Sequence, residues 1–442
     1  MKKYMVGGAV RDTVLGKKPS DIDYVVVGAT PEEMFKLGFE QVGADFPVFL
    51  HPETKDEYAL ARTEKKTGKG YLDFETEFSP NVTLEDDLLR RDLTINAMAM
   101  DENGNIVDPY NGLKDIKEKK LRHVSEAFKD DPLRILRVAR FCAKMPDFTI
   151  AEETLNMLKE MVKNGEANNL KRERIWKEIE KGFLSTRPSK FIEALDQIGV
   201  LGLILPDIKK MQNVPQRDDY HAEGDVYIHT LMVLDEASEL SKDLPDEDKM
   251  LVRMSALLHD IGKAYTPESL LYNEDGSVKG NHFGHDGLEI VKEKIEVLAK
   301  NICMPTNIKV FCIDAAYVHQ RVHGIKAMSP SGITRMFNEL AIRQKSENGK
   351  EMRYVNNLLM TCHADSLGRR LKVNNVITLP EKDYPQKDLF IKYFNEYYNY
   401  SNELQDWIKK YKERNDKQPD GLSIKAQVNQ IRVSKIKKVK PQ

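Results

Sequence analysis

Short runs of apolar residues, rich in β-branched and aromatic side chains, mark the first 125 residues and predict the strands of a small sheet. The runs are residues 4–6, 21–27, 47–50 and 57–61. Thr30 is followed three residues later by Glu33, the pattern of a capping box, so a helix is expected between the second and third runs. The turn residues 102–105 predict a hairpin.

Beyond about residue 125 the strand patterns end and apolar positions recur at helical spacing. Segments with this periodicity include residues 131–144, 152–163, 228–241, 248–263, 287–300 and 388–413, and the rest of this part is expected to be mostly helix. Asp131 followed by Pro132 predicts an N-cap with proline at the first helical position. Residues 64–75, rich in Lys, Gly and Thr, lack periodicity and predict a loop. The expected class is therefore α+β, with a small mixed or antiparallel sheet first and helices after it.

The length of 442 residues exceeds what one core supports and predicts roughly three packed units. The sequence has no apolar run near the roughly 18 residues of a membrane span, and its amino terminus leads into a strand instead of a signal peptide. Four scattered cysteines suit reduced thiols better than a disulfide framework. These features predict a cytoplasmic protein without a membrane partner.

The formal net charge of −2 gives no bulk attraction for nucleic acid, so any such binding must be local. One local candidate is the carboxyl-terminal stretch, which has no acid after Asp420. It carries Lys425, Arg432, Lys435, Lys437, Lys438 and Lys440. A solvated tail and an RNA contact both fit this stretch.

A glycine pair and a pair of acids form the first candidate site. Gly7 and Gly8 follow a predicted strand and open a helix, an arrangement that lets backbone amides approach a phosphate. Asp21 and Asp23 are two apart on a predicted strand, so their carboxylates share one face and require a cation. Oxygen ligands with room for phosphate favour Mg²⁺. Glu57 is a candidate third carboxylate.

An arginine stripe adds to this site. Arg134, Arg137 and Arg140 follow one another at steps of three on a predicted helix and lie along one oblique row. The alternative is a solvated basic face. Together with the glycine turn and the paired acids, the stripe favours a polyanion such as a nucleoside triphosphate, because guanidinium groups match phosphate oxygens.

Six motifs resemble, in order and spacing, the class II nucleotidyltransferase superfamily and within it the bacterial CCA-adding tRNA nucleotidyltransferases. They are GGAVRD at 7–12, DID at 21–23, EYALAR at 57–62, RRDLTINA at 90–97, DPYNG at 108–112 and DPLR at 131–134. The resemblance implies addition of C, C and A to the 3′ end of tRNA from CTP and ATP. It also implies Mg²⁺ at Asp21 and Asp23, with Glu57 in support.

The resemblance implies nucleotide contacts as well. Gly8, Arg11 and Arg91 would position triphosphate and sugar, Asp131 and Arg134 would bond the base edge, and Arg137 and Arg140 would help to fix base and phosphates. One residue departs from the family pattern, because Asp130 stands where the family commonly has Glu. The shorter side chain predicts a looser orientation of Arg134.

The later helices carry a second set of residues that resembles the HD phosphohydrolases. The set is His229, His259, Asp260, His285, His319 and Asp365, with His282 as an alternative to His285. Imidazole and carboxylate ligands suit a divalent transition metal or Mg²⁺ that activates water against a phosphate ester. Multifunctional bacterial CCA-adding enzymes carry such a domain, and the resemblance implies phosphatase and 2′,3′-cyclic phosphodiesterase activity.

These likenesses divide the chain into a nucleotidyltransferase head, a helical neck and body that binds nucleotide and RNA, an HD domain and a helical tail region. The expected boundaries are 1–125, 126–220, 221–370 and 371–442. Two alternatives stay open: a poly(A) polymerase or A-adding enzyme, and an HD hydrolase whose head only binds RNA. Monomer and homodimer both remain open.

Overall fold

The computed structural model describes residues 1–19, 21–42, 48–66, 74–340 and 350–440. The chain forms two compact units. The first unit comprises residues 1–182 and 193–200, and the second comprises 183–192 and 201–442. Within the described ranges, every helix is too short or too polar to span a bilayer.

The first unit holds the sheet. Its strands are β1 (Lys2–Val6), β2 (Asp23–Val27), β3 (Glu40–Val42), β4 (Val48–Leu50), β5 (Glu57–Leu60), β6 (Arg62–Lys66), β7 (Phe74–Phe78), β8 (Ala99–Met100), β9 (Ile106–Val107), β10 (Lys120–Leu121) and β11 (Thr149–Ile150). Its helices up to residue 163 are α1 (Gly8–Val14), α2 (Pro31–Lys36), α3 (Leu84–Leu89), α4 (Gly112–Glu118), α5 (Arg134–Lys144) and α6 (Glu152–Lys163).

The main sheet has the order β3-β4-β5-β2-β1-β8-β9, with β2 and β5 parallel and the other neighbours antiparallel. Successive side chains of a strand point to opposite sides, and in central β2 both sides are buried. Val25 packs with Val6 and Leu88 on one face, while Val26 packs with Met34 and Phe49 on the other. The continuous valine run of β2 follows from this double burial.

The remaining helices follow in chain order. They are α7 (Arg172–Phe183), α8 (Ser189–Ile198), α9 (Leu201–Ile204), α10 (Pro206–Lys209), α11 (Val226–Leu240), α12 (Asp246–Leu258), α13 (Glu268–Leu271), α14 (Leu288–Ile302), α15 (Thr306–His323), α16 (Pro330–Glu339), α17 (Lys350–Leu367), α18 (Gln386–Tyr398), α19 (Ser401–Asn415) and α20 (Gly421–Val439). In the second unit α11, α12, α15 and α17 pack against one another. A hairpin of β12 (Leu371–Val373) and β13 (Val376–Thr378) follows α17.

The α+β class is confirmed, as are the capping box at Thr30 and the hairpin of β8 and β9. Four local predictions are wrong. Strand β2 begins at Asp23, so Asp21 precedes the strand. Residues 64–66 and 74–75, predicted as loop, belong to paired strands, and residues 67–73 lie outside the described ranges, as does Pro47 of the third run.

The third wrong prediction is the helix over 388–413, which is two helices separated at Asn399 and Tyr400. The fourth is the N-cap role of Asp131: α5 begins at Arg134, and the Asp131 carboxylate accepts from the Leu133 amide instead. Proline at 132 therefore stands before the helix.

The carboxyl-terminal basic stretch forms α20, which packs on α16 and α18. Ile431 and Ile436 are buried there, the Arg432 guanidinium lies over the Tyr397 ring, and Lys435 pairs with Glu403. Some of its charges therefore hold the helix in place.

Candidate active sites

The first site begins where β1 ends. Gly7 joins β1 to α1 with a φ of 70°, a conformation that favours glycine. A Cβ there would lie 3.0 Å from an Arg91 guanidinium nitrogen. Glycine at this position therefore allows both the turn and the approach of Arg91.

Three acids lie near the start of β2. Asp23 is opposite Glu57 in the parallel pairing of β2 with β5. Burial raises the pKa of Asp23, the positive charge of Arg91 opposes this, and the negative charge of Asp21 adds to it. A carboxylate in this setting is stabilised by a further cation, as expected for a metal ligand.

Arg91 is held from behind by a buried carboxylate. Asp87 on α3 accepts from Arg90 at 2.7 Å and from Arg91 at 3.0 Å. Burial opposes ionisation of Asp87, but the two guanidinium groups outweigh it and hold its pKa below the ordinary value. Sequence reasoning missed Asp87, because nothing in its local pattern distinguishes it from other helix acids.

Arg11 is almost wholly buried, with 2% of its surface exposed. Its guanidinium donates to Asn96 at 2.6 Å and to Asp12 at 2.8 Å. These contacts fix one edge of the cavity described below.

The arginines of the stripe each have an acceptor. Arg134 donates to the main-chain carbonyls of Ala127 at 3.0 Å and Arg90 at 2.5 Å, bonds that do not involve the side chain at 130. Arg137 donates to Asp92 at 2.9 Å, and Arg140 donates to Glu178 at 2.6 Å. Asp131 faces Arg174 at 3.4 Å.

These side chains surround a cavity of about 520 Å³ in the first unit. Of the predicted residues, Gly8, Arg11, Asp23, Arg91, Asp131, Arg134, Arg137 and Arg140 line it. Asp21 and Glu57 do not line the cavity. Further lining residues are Arg62, Arg90, Asp92 and Asn96, which belong to the motifs but had no assigned role, and Phe141, Lys144 and Arg174, which the sequence did not indicate. Nine cationic side chains thus face three carboxylates, which suits a highly charged anion.

The second site lies within the second unit, where four helices contribute. His229 is on α11, His259 ends α12, His319 is on α15 and Asp365 is on α17. All of them are buried. Asp260 follows His259 directly, and His285 comes from the loop before α14.

The six predicted residues lie together in two groups that Asp260 joins. In one, Asp365 Oδ1 lies 3.2 Å from His229 Nε2 and 3.8 Å from His259 Nε2. In the other, Asp260 Oδ1 lies 3.2 Å from His285 Nε2 and 3.3 Å from His319 Nε2. The second oxygen of Asp260 is 3.2 Å from His259 Nε2.

The tautomers of these histidines leave lone pairs facing the carboxylates. The Nδ1 atoms of His259, His285 and His319 lie 2.7, 2.5 and 2.7 Å from main-chain carbonyls of residues 256, 282 and 316, which can only accept. Each of these Nδ1 atoms therefore carries the proton and donates it to the carbonyl, and each Nε2 of the neutral ring is an acceptor.

Four of the facing atoms have no hydrogen-bond partner. Nε2 of His259, His285 and His319 and Oδ1 of Asp260 are buried and unpaired. Acceptors that converge without a donor require a cation, and their N and O chemistry fits a divalent metal. Among the described residues, clusters of three or more such ligands with mutually close atoms occur only in this unit.

The charges of the cluster agree with this requirement. Burial lowers the pKa of His319 to about 4. Burial opposes protonation of His259 as well, but the carboxylates of Asp260 and Asp365 outweigh it and raise the pKa of His259. The two carboxylates thus favour positive charge at this position, which a bound metal ion would supply.

Between the two candidate histidines of the loop, the structure places His285 against Asp260. His282 instead contacts Thr266 and the Pro215 carbonyl, at 2.7 and 3.0 Å. A Cβ on Gly262 would lie 1.9 Å from the His285 carbonyl oxygen, so glycine there lets the loop reach the cluster.

Comparison with known families identifies three regions. Residues 3–122 match the family described as Poly A polymerase head domain, residues 147–212 match that described as Probable RNA and SrmB- binding site of polymerase A, and residues 226–365 match the HD domain.

Similar curated proteins cover most of the chain. One from Vibrio campbellii, named Multifunctional CCA protein, is 45% identical over 89% of this chain and 90% of its own length. Another of that name, from Mannheimia succiniciproducens, is 42% identical over 88% of this chain and 87% of its own.

Solved structures share the fold. The apo form II of a CCA-adding enzyme matches with a TM-score of 0.64 at 20% identity, covering 98% of this chain and 88% of that one. A complex of CCA-adding enzyme with CTP matches with a TM-score of 0.58 at 22% identity, covering 98% and 87%.

Proposed function

The chain belongs to the family of multifunctional CCA proteins, which are tRNA nucleotidyltransferases, and we propose that it adds C, C and A to the 3′ end of tRNA using CTP and ATP. The observation that carries the proposal is the cavity of about 520 Å³, whose nine cationic side chains surround Asp23. Such a charge balance suits a nucleoside triphosphate.

The acids of the head are the proposed Mg²⁺ ligands, Asp21 and Asp23, with Glu57 alongside Asp23 in the sheet. Bound there, Mg²⁺ would neutralise the leaving pyrophosphate and acidify the attacking 3′-hydroxyl. Gly8, Arg11 and Arg91 position the triphosphate, and Asp87 keeps Arg91 aimed into the cavity.

Base selection rests on Asp131 and Arg134, with Arg137 and Arg140 fixing base and phosphates. On their Watson–Crick edges cytosine and adenine share an exocyclic amino group beside a ring-nitrogen acceptor, whereas the ring nitrogen on that edge of uracil and guanine carries a hydrogen and donates. A carboxylate accepts from that amino group and a guanidinium donates to the ring nitrogen. Because Arg134 is held by two main-chain carbonyls, its direction is fixed and a base with the wrong pattern is left unpaired.

The second unit is the proposed metal-dependent phosphohydrolase, acting as a phosphatase and 2′,3′-cyclic phosphodiesterase. The observation that favours it is the set of unpaired buried acceptors around Asp260. A divalent transition metal or Mg²⁺ there would supply an activated water. Asp260 contacts both groups of ligands, with Oδ2 near His259 and Oδ1 near His285, so it would take part in holding the metal.

We retain the four-part division at 125, 220 and 370 as part of the proposal, with the HD domain preceding the helical tail region. Cytoplasmic action belongs to the same proposal.

The transferase is tested with a tRNA transcript that lacks its terminal CCA, incubated with Mg²⁺ and CTP, ATP or both. Growth by two nucleotides with CTP and three with both supports the proposal. A ladder with ATP alone would instead indicate a poly(A) polymerase, and no extension would favour a non-catalytic head.

Paired variants separate the two activities. Asp21→Ala with Asp23→Ala should abolish nucleotide addition and spare hydrolysis of a 2′,3′-cyclic phosphate. His259→Ala with Asp260→Ala should do the reverse, and unchanged hydrolysis there would make the histidine cluster structural. Loss of both activities in either variant contradicts the two-site assignment.

A further inference from the structure

A further histidine, only partly exposed, lies behind the Asp365 carboxylate. His323 lies one turn after His319 on α15, and its Nε2 is 2.7 Å from Asp365 Oδ2. On the other side of its ring, Nδ1 is 3.0 Å from the hydroxyl of Tyr384. His323 belongs to neither group of metal ligands, and Tyr384 lies beyond the residues 226–365 that match the HD domain.

The chemistry of these three groups sets the direction of both hydrogen bonds. A neutral imidazole has one N–H, and a carboxylate can only accept. Donation from the Tyr384 hydroxyl to Nδ1 therefore leaves the proton on Nε2, where it is donated to Asp365 Oδ2. The other carboxylate oxygen, Oδ1, faces His229 Nε2 at 3.2 Å.

Tyr384 is itself held in place by α17. Its ring stacks on that of His363, with centroids 5.2 Å apart and planes 10° from parallel. His363 Nε2 in turn donates to the Lys382 carbonyl at 2.9 Å. The segment before α18 is thus tied to the helix that carries Asp365.

We propose that Tyr384 and His323 form a positioning relay that holds Asp365 with Oδ1 directed at the metal position. The proposal rests on the hydrolytic site proposed above. Arg369 also contacts Asp365 and donates to both oxygens, to Oδ1 at 3.3 Å and to Oδ2 at 3.0 Å, so it helps to hold the plane of the carboxylate. His323 contacts Oδ2 alone, through the shortest of these three bonds, and thereby favours the rotation that leaves Oδ1 facing His229.

The test measures Co²⁺ binding to the full chain through the visible absorption of the ion, in a background with Asp21→Ala and Asp23→Ala. Tyr384→Phe removes the hydroxyl and keeps the stacked ring, so His323 Nδ1 loses its donor and the imidazole is no longer held from that side. Co²⁺ affinity should fall about tenfold or more, with an altered absorption band. The matched control is Tyr354→Phe, which removes another tyrosine hydroxyl, bonded to Asp314 at 2.6 Å, and should change neither.

A conservative substitution supplies the rescue. In His323→Gln the amide always carries a donor, so Co²⁺ affinity should stay within about threefold of the parent, and adding Tyr384→Phe should change it little further. Parent-like affinity and spectrum in Tyr384→Phe alone would overturn the relay while leaving the hydrolytic site intact. The double variant His259→Ala with Asp260→Ala should lose the Co²⁺ binding of the parent. If the parent binds no Co²⁺, or if the double variant binds it equally well, both the hydrolytic site and the relay are overturned.

Discussion

Several arginines around the first cavity have a buried acid behind them. Asp87 holds Arg91, Asp92 holds Arg137, and the partner of Arg140 is Glu178. Guanidinium groups fixed before substrate arrives need no reorganisation when a triphosphate binds. At the scale of single residues, these buried acids thus fix the direction of the arginines before substrate binds.

Asp87→Asn tests this arrangement. The amide keeps the size of the side chain but removes the charge that orients Arg91, so kcat/KM for CTP and ATP addition should fall about tenfold, about 1.4 kcal/mol of transition-state stabilisation. Steady-state extension of tRNA measures the effect. Glu85→Gln, an exposed acid on the same helix, is the control and should leave kcat/KM unchanged.

The same carboxylate predicts a pH dependence of stability. The pKa of Asp87 is lowered in the folded chain. Its contribution to the free energy of unfolding is therefore full above the unfolded pKa of about 3.9 and is lost as the pH falls from that value through the lower pKa of the folded chain. Between pH 6 and 3, urea unfolding of the wild type should lose more stability than that of Asp87→Asn. Parallel profiles would show that Asp87 does not contribute in this way.

Sequence reasoning found residues inside recognisable motifs and missed those that arrive by tertiary folding. Asp23 and Arg134 were predicted and line the cavity, whereas Lys144 and Arg174 line it without having been predicted. Their local patterns are those of ordinary helix positions. Tyr384 illustrates the same limit, because its partner His323 lies 61 residues away along the chain.

At the scale of elements, close packing of the turn after α12 against the loop before α14 builds the second site. Gly262→Ala would force a Cβ to within 1.9 Å of the His285 carbonyl, moving His285 away from Asp260. We expect loss of cyclic phosphate hydrolysis with nucleotide addition retained. Gly202→Ala is the control, since its Cβ would meet only the flexible Lys209 side chain at 3.6 Å.

Some of the elements that the sequence did not predict are very short. Strands β10 and β11 have two residues each and pair in parallel, too few for alternation to be visible. Conversely, helical periodicity continues across Asn399, where the chain nevertheless breaks between α18 and α19. The periodicity of apolar residues indicates which face of a helix is apolar, but it does not indicate where the helix ends.

At the scale of the whole molecule, each proposed site draws its residues from one unit. The cavity residues lie in the first unit, from Gly7 to Arg174, and the histidine cluster lies in the second, from His229 to Asp365. Metal binding to the cluster should therefore stabilise the second unit specifically. A ligand that binds only the folded state at about 100 times its Kd adds about 2.7 kcal/mol to the free energy of unfolding.

Thermal unfolding of the chelator-treated full chain, with and without Mn²⁺, measures this gain. The wild type and the variant Asp21→Ala with Asp23→Ala should both show a raised Tm on adding Mn²⁺, because their buried acceptors around Asp260 remain. His259→Ala with Asp260→Ala should show no such rise, since the cluster then lacks the shared carboxylate. A rise that instead disappears with the head carboxylates would place the stabilising cation in the first unit and contradict the assignment.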